Sequence, residues 1–352
     1  MDLGKQNILF FTRTMMLGGT ENVVLQLCEV FKPKVNKIVV CSCGGVNVEK
    51  LTEMGIRHYQ IPDISSKKDM FKICRTVKKI VEKEQITVIH SHHRMAAFYT
   101  EILFGSSIIK IANAHNTFFD KKLLTRFAYR NTKVIAVGKM VKKNLVDYFR
   151  IPEKQVSVIH NAVKPFDGDY IEDKYIRKLH DDGNFVVGNI GRLSEQKGME
   201  YFIEAIPKIL KKYPRTRFVI AGNGEDEQKL FSLVKKLGIE ECIKFLGYRK
   251  DVQNLMSQLD LIVLSSLWEG LPLTPIEAYS VGRAIVATRV DGTPEIVRDG
   301  VDGYLIDPKS LEQIAEAVCK VIENDEKREK MEMNAKERYV KAVSYTHLRA
   351  HE

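Results

Sequence analysis

The sequence predicts two α/β domains, each a Rossmann-like parallel sheet covered by helices on both faces, facing one another across a cleft. Three observations carry this. Short apolar runs alternate with helical-period segments along nearly the whole chain. The rhythm breaks once, near residues 161–184, and then resumes. The length of 352 residues exceeds what one hydrophobic core ordinarily organises.

Ile8–Phe11 reads as the first buried strand. Gly18 and Gly19 follow, then a helix with Val23, Val24, Leu27, Val30 and Phe31 on one face. Further strands are expected at Ile38–Cys41, Ile56–Ile61, Thr87–His90, Lys110–Ala114, Val134–Val137 and Val156–Ile159, with Cys41 and Cys43 on one core-facing side. The first domain is residues 1–164. Residues 165–184, with Pro165, Gly168 and many charges, read as a linker. The second domain, 185–325, places strands at Phe185–Ile190, Arg217–Ala221, Ile243–Leu246, Leu261–Leu264 and Ala284–Thr288. A charged helix spans 326–342. Residues 343–352 lack any period and read as a non-native tail.

Composition excludes several classes. With 44% hydrophobic and 28% charged residues, the chain is globular rather than disordered. No apolar run approaches the ~20 residues of a membrane-spanning helix, and no signal-peptide pattern opens the chain. Six scattered cysteines in apolar surroundings fit reduced thiols, so the expected location is cytoplasmic. Charge is uneven. Residues 1–164 carry 27 Lys and Arg against 13 Asp and Glu, a net +14; residues 165–352 carry 28 against 32, a net −4. The first half is therefore the one that meets an anion: nucleic acid, acidic lipid or a phosphorylated substrate.

Gly18-Gly19-Thr20-Glu21 joins a strand to a helix, where backbone N–H groups can approach a phosphate; the plainer reading is a tight turn. No GxGxxG fingerprint occurs, and Gly222-Asn223-Gly224 reads as a turn at the cleft. Gly191–Gly198 places Arg192 and Lys197 between strand and helix, suited to a diphosphate. Trp268–Glu277 carries two glutamates eight residues apart. Pro275 fits a first helical position behind Thr274 as cap, which puts Glu277 at the capping-box position. Glu269 lies beside Gly270 with no such structural role and suits the hydroxyls of a sugar. His90, His92 and His93 read as strand-end residues rather than metal ligands. His115 ends another strand directly. Asp167-Gly168-Asp169 follows no strand and is a chance DxD match.

These segments, in this order, resemble glycosyltransferase family 4, with the GT-B fold, over about residues 6–340. Glu269 through Glu277 matches the family's EX7E motif, and Arg192 with Lys197 its basic pair. Gly18–Glu21, Asn161-Ala162-Val163, Gly247-Tyr248 and Asp291–Glu295 fall where the family has matching segments. The resemblance implies retaining transfer of a sugar from a nucleotide diphosphate sugar, UDP-linked, without a metal or other cofactor, in polysaccharide or glycolipid synthesis. It implies catalytic roles for His115, Arg192, Lys197 and Glu269. Donor binding would fall to Gly18, Gly19, Asn161, Arg192, Lys197, Tyr248, Arg249, Glu269, Gly270, Leu271, Pro272, Leu273, Thr274 and Glu277. It also implies that the last helix crosses back onto the first domain. Where the family often has Asp, this chain has Asn116. The partners expected are a donor, a lipid-linked or phosphorylated saccharide acceptor, and an anionic membrane at its inner face, with no nucleic acid. The rival readings are a nucleotide-sugar epimerase of the same fold, a glycoside hydrolase using both glutamates, and a basic nucleic-acid-binding protein. The last predicts exposed aromatics among the cations, whereas the aromatics here sit mostly at core-period positions.

Overall fold

The computed structural model describes residues 2–343. The chain divides into two compact units between His160 and Asn161. The expected tail lies outside the described residues, apart from the backbone of Val343.

The first unit holds seven strands: β1 (Asn7–Phe11), β2 (Lys37–Ser42), β3 (Arg57–Gln60), β4 (Val88–Ser91), β5 (Ile109–Ala114), β6 (Lys133–Ala136) and β7 (Val156–Val158). They form a sheet in the order β3-β2-β1-β4-β5-β6-β7, with every pairing parallel. Parallel neighbours need crossovers, and the helices Gly19–Phe31, Met70–Glu84 and Arg94–Leu103 supply them. Covered on both faces, the central strand β1 is buried at all five positions. One core layer gathers Leu9, Phe11, Val39, Ile73, Val77 and Ile89, and the other Phe10, Val24, Leu27, Val40 and Leu51. Cys41 joins the core, but β2 ends at Ser42, so Cys43 lies beyond the strand and is only half-buried.

The second unit holds β8 (Phe185–Ile190), β9 (Thr216–Ala221), β10 (Ile243–Gly247), β11 (Leu261–Leu264), β12 (Ile285–Thr288) and β13 (Gly303–Ile306). The order is β10-β9-β8-β11-β12-β13, again parallel throughout. Its main core packs Phe202, Ile206 and Ile209 of helix Met199–Lys212 against β8, β9 and β11. In each sheet the strand order reverses once, between β1 and β4 and between β8 and β11. Loops leaving the strand ends at such a reversal diverge to opposite faces and open a crevice. The segments carrying Gly18, His92, Lys197 and Glu269 all leave at these two points.

Two expectations need correction. The segment 165–184 contains a helix, Lys174–Asp181, that belongs to the second unit. Asp173 caps it by accepting from the N–H groups of Tyr175 and Ile176, and Ile176 and Leu179 are buried. Its eight residues are mostly polar, which hides a two-residue apolar stripe. The sixth strand β13 falls outside the expected set, because Gly303-Tyr304-Leu305-Ile306 is short and opens on Gly. The last helix, Asp325–Arg338, packs on helix Leu273–Ser280, and Tyr339 donates to the Val163 carbonyl at 2.8 Å.

One buried charge cluster pins the first sheet's far half. The Glu101 carboxylate, 1% exposed, accepts from Lys110 Nζ at 2.8 Å, from Arg130 at 3.0 Å and from Asn131 at 2.7 Å. Lys110 is itself 5% exposed. Removing the acid leaves an ammonium buried without its counter-charge, which costs about 3 kcal/mol or more. Glu101→Ala should therefore lower the stability of the full chain in urea by that amount, and Glu101→Gln by less. Equal midpoints for wild type and Glu101→Ala would refute the pairing.

Candidate functional site

The second unit's site is built on its own backbone crossings. Gly222 has φ of +146°, and a Cβ there would lie 1.8 Å from the Gly191 carbonyl oxygen. Gly224 presses closely on Leu193. The Gly222–Gly224 turn thus braces the loop that carries Arg192. Gly198, at φ +55°, closes that loop against the Ser265 carbonyl and leads into helix Met199–Lys212.

Opposite stands the loop after β11. Lys197 Nζ donates to Glu269 Oε1 at 2.6 Å, and Ser266 Oγ donates to the same oxygen at 2.7 Å. Both charged side chains are largely buried, at 18% and 8% exposure. Among the described residues no side chain donates to the other oxygen, Glu269 Oε2. Ser265 Oγ ties the Lys197 carbonyl, and Asn189 ties Ser265 Oγ in turn. The result is a preorganised cation beside a carboxylate with one acceptor oxygen unclaimed.

Glu277 differs from its expected place. The helix begins at Leu273 and Pro272 precedes it, so Glu277 is the fifth helical residue and not the capping-box residue. Pro275 sits in the first turn, where a missing N–H costs nothing. No side-chain cap forms. The Glu277 side chain is partly buried, and desolvation pushes its carboxyl up to about 7 against the pull of Lys197. The capping explanation for this glutamate therefore falls away.

The remaining donor-site candidates separate. Asn161 Nδ2 donates to the Leu271 carbonyl at 3.0 Å and so buttresses the glutamate loop. Arg192 reaches Glu225 at 3.1 Å on an open surface. Arg249 is committed to Asp173 and Asp251, each at 2.7 Å, and holds the helix Lys174–Asp181 in place. What the end of β10 offers outward is the half-exposed Tyr248.

In the first unit, His92 Nδ1 and His115 Nε2 lie 3.1 Å apart with their rings stacked, and His90 packs on His92. Burial keeps these imidazoles neutral: His115 is lowered to about 3 and His90 to about 4. His93 caps helix Arg94–Leu103 through Nδ1. No cluster of three or more metal-ligating side chains occurs among the described residues. Gly18 and Gly19 do open a helix, but Glu21 lies against Gly18 and accepts from Thr14. That helix end already carries a carboxylate.

Residues 171–338 match the family described as glycosyl transferases group 1, and residues 17–165 match glycosyltransferase family 4. The two matches run in tandem across both units. The chain belongs to the family-4 glycosyltransferases. Its pair of parallel-sheet units is the GT-B fold. It is 26% identical over 338 residues to the UDP-Gal:alpha-D-GlcNAc-diphosphoundecaprenol alpha-1,3-galactosyltransferase of Escherichia coli, covering 88% of this chain and 86% of that one. It is 27% identical over 327 residues to a component of the human phosphatidylinositol N-acetylglucosaminyltransferase, covering 87% and 66%. Among solved structures, Anabaena Alr3699/HepE in complex with UDP superposes with a TM-score of 0.85 at 22% identity, each chain covered to 98%.

Within this glycosyltransferase the sequence motifs pointed to Lys197 and Glu269 and included Asp291 without a role, but missed Ser266. Asp291 Oδ2 accepts from the Glu269 N–H at 2.8 Å. A serine before a Trp-Glu pair carries no spacing signal, and Asp291 lies 22 residues away.

The Glu277 carboxyl makes a pH-dependent contribution to stability. Its folded value near 7 lies above the ordinary 4.5, so the folded chain keeps a proton that the unfolded chain releases. Stability is then lost as pH rises from about 4.5 to 7. Glu277→Gln removes the titration. It should match wild type near pH 4 and exceed it above pH 7, by up to about 3 kcal/mol. Denaturant melts at both pH values test this; a constant difference between the two proteins would rule it out.

Proposed function

We propose that the protein is a retaining glycosyltransferase that moves a sugar from a UDP-linked donor to a lipid-linked, phosphate-bearing acceptor in cell-surface glycan or glycolipid synthesis. The observation that carries this reading is the Lys197–Glu269 pair with its unclaimed Oε2. The ammonium suits a diphosphate, and the free carboxylate oxygen suits a sugar hydroxyl. The relatives named for UDP-galactose and for a phosphorylated lipid, and the fold-mate holding UDP, support the donor and acceptor classes.

In this reading Arg192, Lys197 and the first-turn N–H groups of helix Leu273–Ser280 stabilise the diphosphate as charge develops on it. Glu269 orients the sugar, and Glu277 accepts from the ribose hydroxyls while Tyr248 flanks the base. His115, neutral, offers the first unit's hydrogen-bonding group. The acceptor oxygen bonds to the anomeric carbon on the face the diphosphate leaves. The C–O bond electrons stay on the diphosphate, and one of its oxygens takes the acceptor's proton. No metal step is required, because the cations of the chain balance the leaving charge.

A screen of nucleotide sugars for transfer and slow hydrolysis tests the donor. Glu269→Gln should bind UDP as wild type does and lose about ten- to a hundredfold in turnover, the loss of one charged hydrogen bond. Turnover should persist in EDTA. Wild-type turnover in Glu269→Gln would remove the site assignment, and full loss in EDTA reversed by magnesium or manganese would remove the charge-balance argument.

The basic first half supports an anionic surface as the acceptor's setting. Residues 117–150 alone carry nine Lys and Arg against two acids. Contrary to the expectation of core placement, Phe119 is 73% exposed there, and Leu123 beside it 82%. Lys122 lies over the Tyr148 ring, against which Phe119 packs edge-on. No helix among the described residues is long and apolar enough to cross a membrane. Cations near an acidic bilayer contribute ~1 kcal/mol each, so liposomes rich in phosphatidylglycerol should bind the protein and release it as salt rises. Binding to neutral vesicles at equal strength, or tighter binding to a short RNA, would point elsewhere.

A further inference from the structure

The turn after β12 contains a backbone conformation for which the proposed chemistry has no use. Asp291 has φ of +41°, in the left-handed region that residues with a Cβ rarely enter. The same residue reaches 22 positions back along the chain to accept from the Glu269 N–H at 2.8 Å. The next residue locks the two loops further. Gly292 N–H donates to the Gly270 carbonyl at 2.9 Å, and a Cβ on Gly292 would lie 2.3 Å from that oxygen. Strain held at one point and coupled to a hydrogen bond beside a functional carboxylate is a mark of preorganisation.

We propose that Asp291 is a positioning residue for Glu269. The Glu269 side chain is pinned at one end by Lys197 and Ser266 on Oε1. Asp291 pins the other end, at the peptide. With both ends fixed, the unclaimed Oε2 has one direction in which to meet a sugar hydroxyl. The proposal rests on the reading of Glu269 as the sugar's acceptor. Without the clamp the Glu269 peptide can rotate, and a displacement near 1 Å at such a contact costs about a hundredfold in rate.

Two variants separate this role from a merely structural turn. Asp291→Gly fits the left-handed conformation without a Cβ but removes the acceptor. Asp291→Asn keeps an acceptor and loses the charge. The measurements are kcat with the nucleotide sugar that wild type turns over fastest, the Kd for UDP, the Tm, and amide hydrogen exchange across residues 265–272. Asp291→Gly is expected to lose about ten- to a hundredfold in kcat, to bind UDP within about twofold of wild type and to exchange faster across 265–272. Asp291→Asn is expected to keep both kcat and protection. Wild-type kcat in Asp291→Gly, or equal impairment in Asp291→Asn, overturns the proposal; if Asp291→Gly melts early, its kcat and exchange are compared with wild type at a temperature where both are fully folded. Glu269→Gln, assayed alongside, distinguishes the failures. If it too retains wild-type kcat, the reading of Glu269 is at fault; if it is impaired while Asp291→Gly is not, only the role of Asp291 is.

Discussion

A carboxylate and an ammonium held together in a mostly buried place govern this structure. Separating Glu269 from Lys197 would leave a largely buried charge without its partner, which is costly. Each is the reason the other stays. Their shared oxygen also takes the Ser266 hydroxyl, and the backbones behind them are fixed by Ser265, Asn189 and Asp291. The loops of β8, β11 and β12 converge because this pair and its supports require it. The chemistry left over, one carboxylate oxygen beside a fixed cation, follows from that convergence.

Glu277 shows the opposite use of burial. Among the described residues it has no ion-pair partner at hydrogen-bond distance, and its proton is retained to a higher pH than an ordinary glutamate's. The two acids of the motif thus differ in their surroundings: Glu269 is paired with Lys197, and Glu277 is not. The histidines of the first unit follow a third pattern. Stacked and buried, they stay neutral and serve as hydrogen-bonding groups rather than charges.

The alternation of apolar runs with helical periods placed nearly every strand, because parallel strands buried on both faces are mostly apolar, as β1 after Asn7 and all of β11 are. The elements that escaped are those whose burial is small. Helix Lys174–Asp181 hides behind six polar residues and two buried ones, and β13 behind a glycine start. The start of helix Leu273–Ser280 misled for a physical reason too. Threonine before proline is a good cap, but proline is tolerated throughout a first turn, so the motif does not fix the register.

By itself the sequence determined the two-unit α/β architecture, the family and the uneven charge, and it singled out Lys197 and Glu269, which the structure brings together. These depend on local periodicity and on motifs whose spacing is short. Only the tertiary structure decided that Arg249 is spent on Asp173 and Asp251, that Glu21 fills the helix end at Gly18, that Glu277 does not cap its helix, and that Asp291 holds Glu269. Each of those outcomes turns on which polar group meets which other in space. A carboxylate or guanidinium reads the same in sequence whether its partner is a ligand or a neighbour brought in from a distant loop, and the packing of the sheets makes that choice.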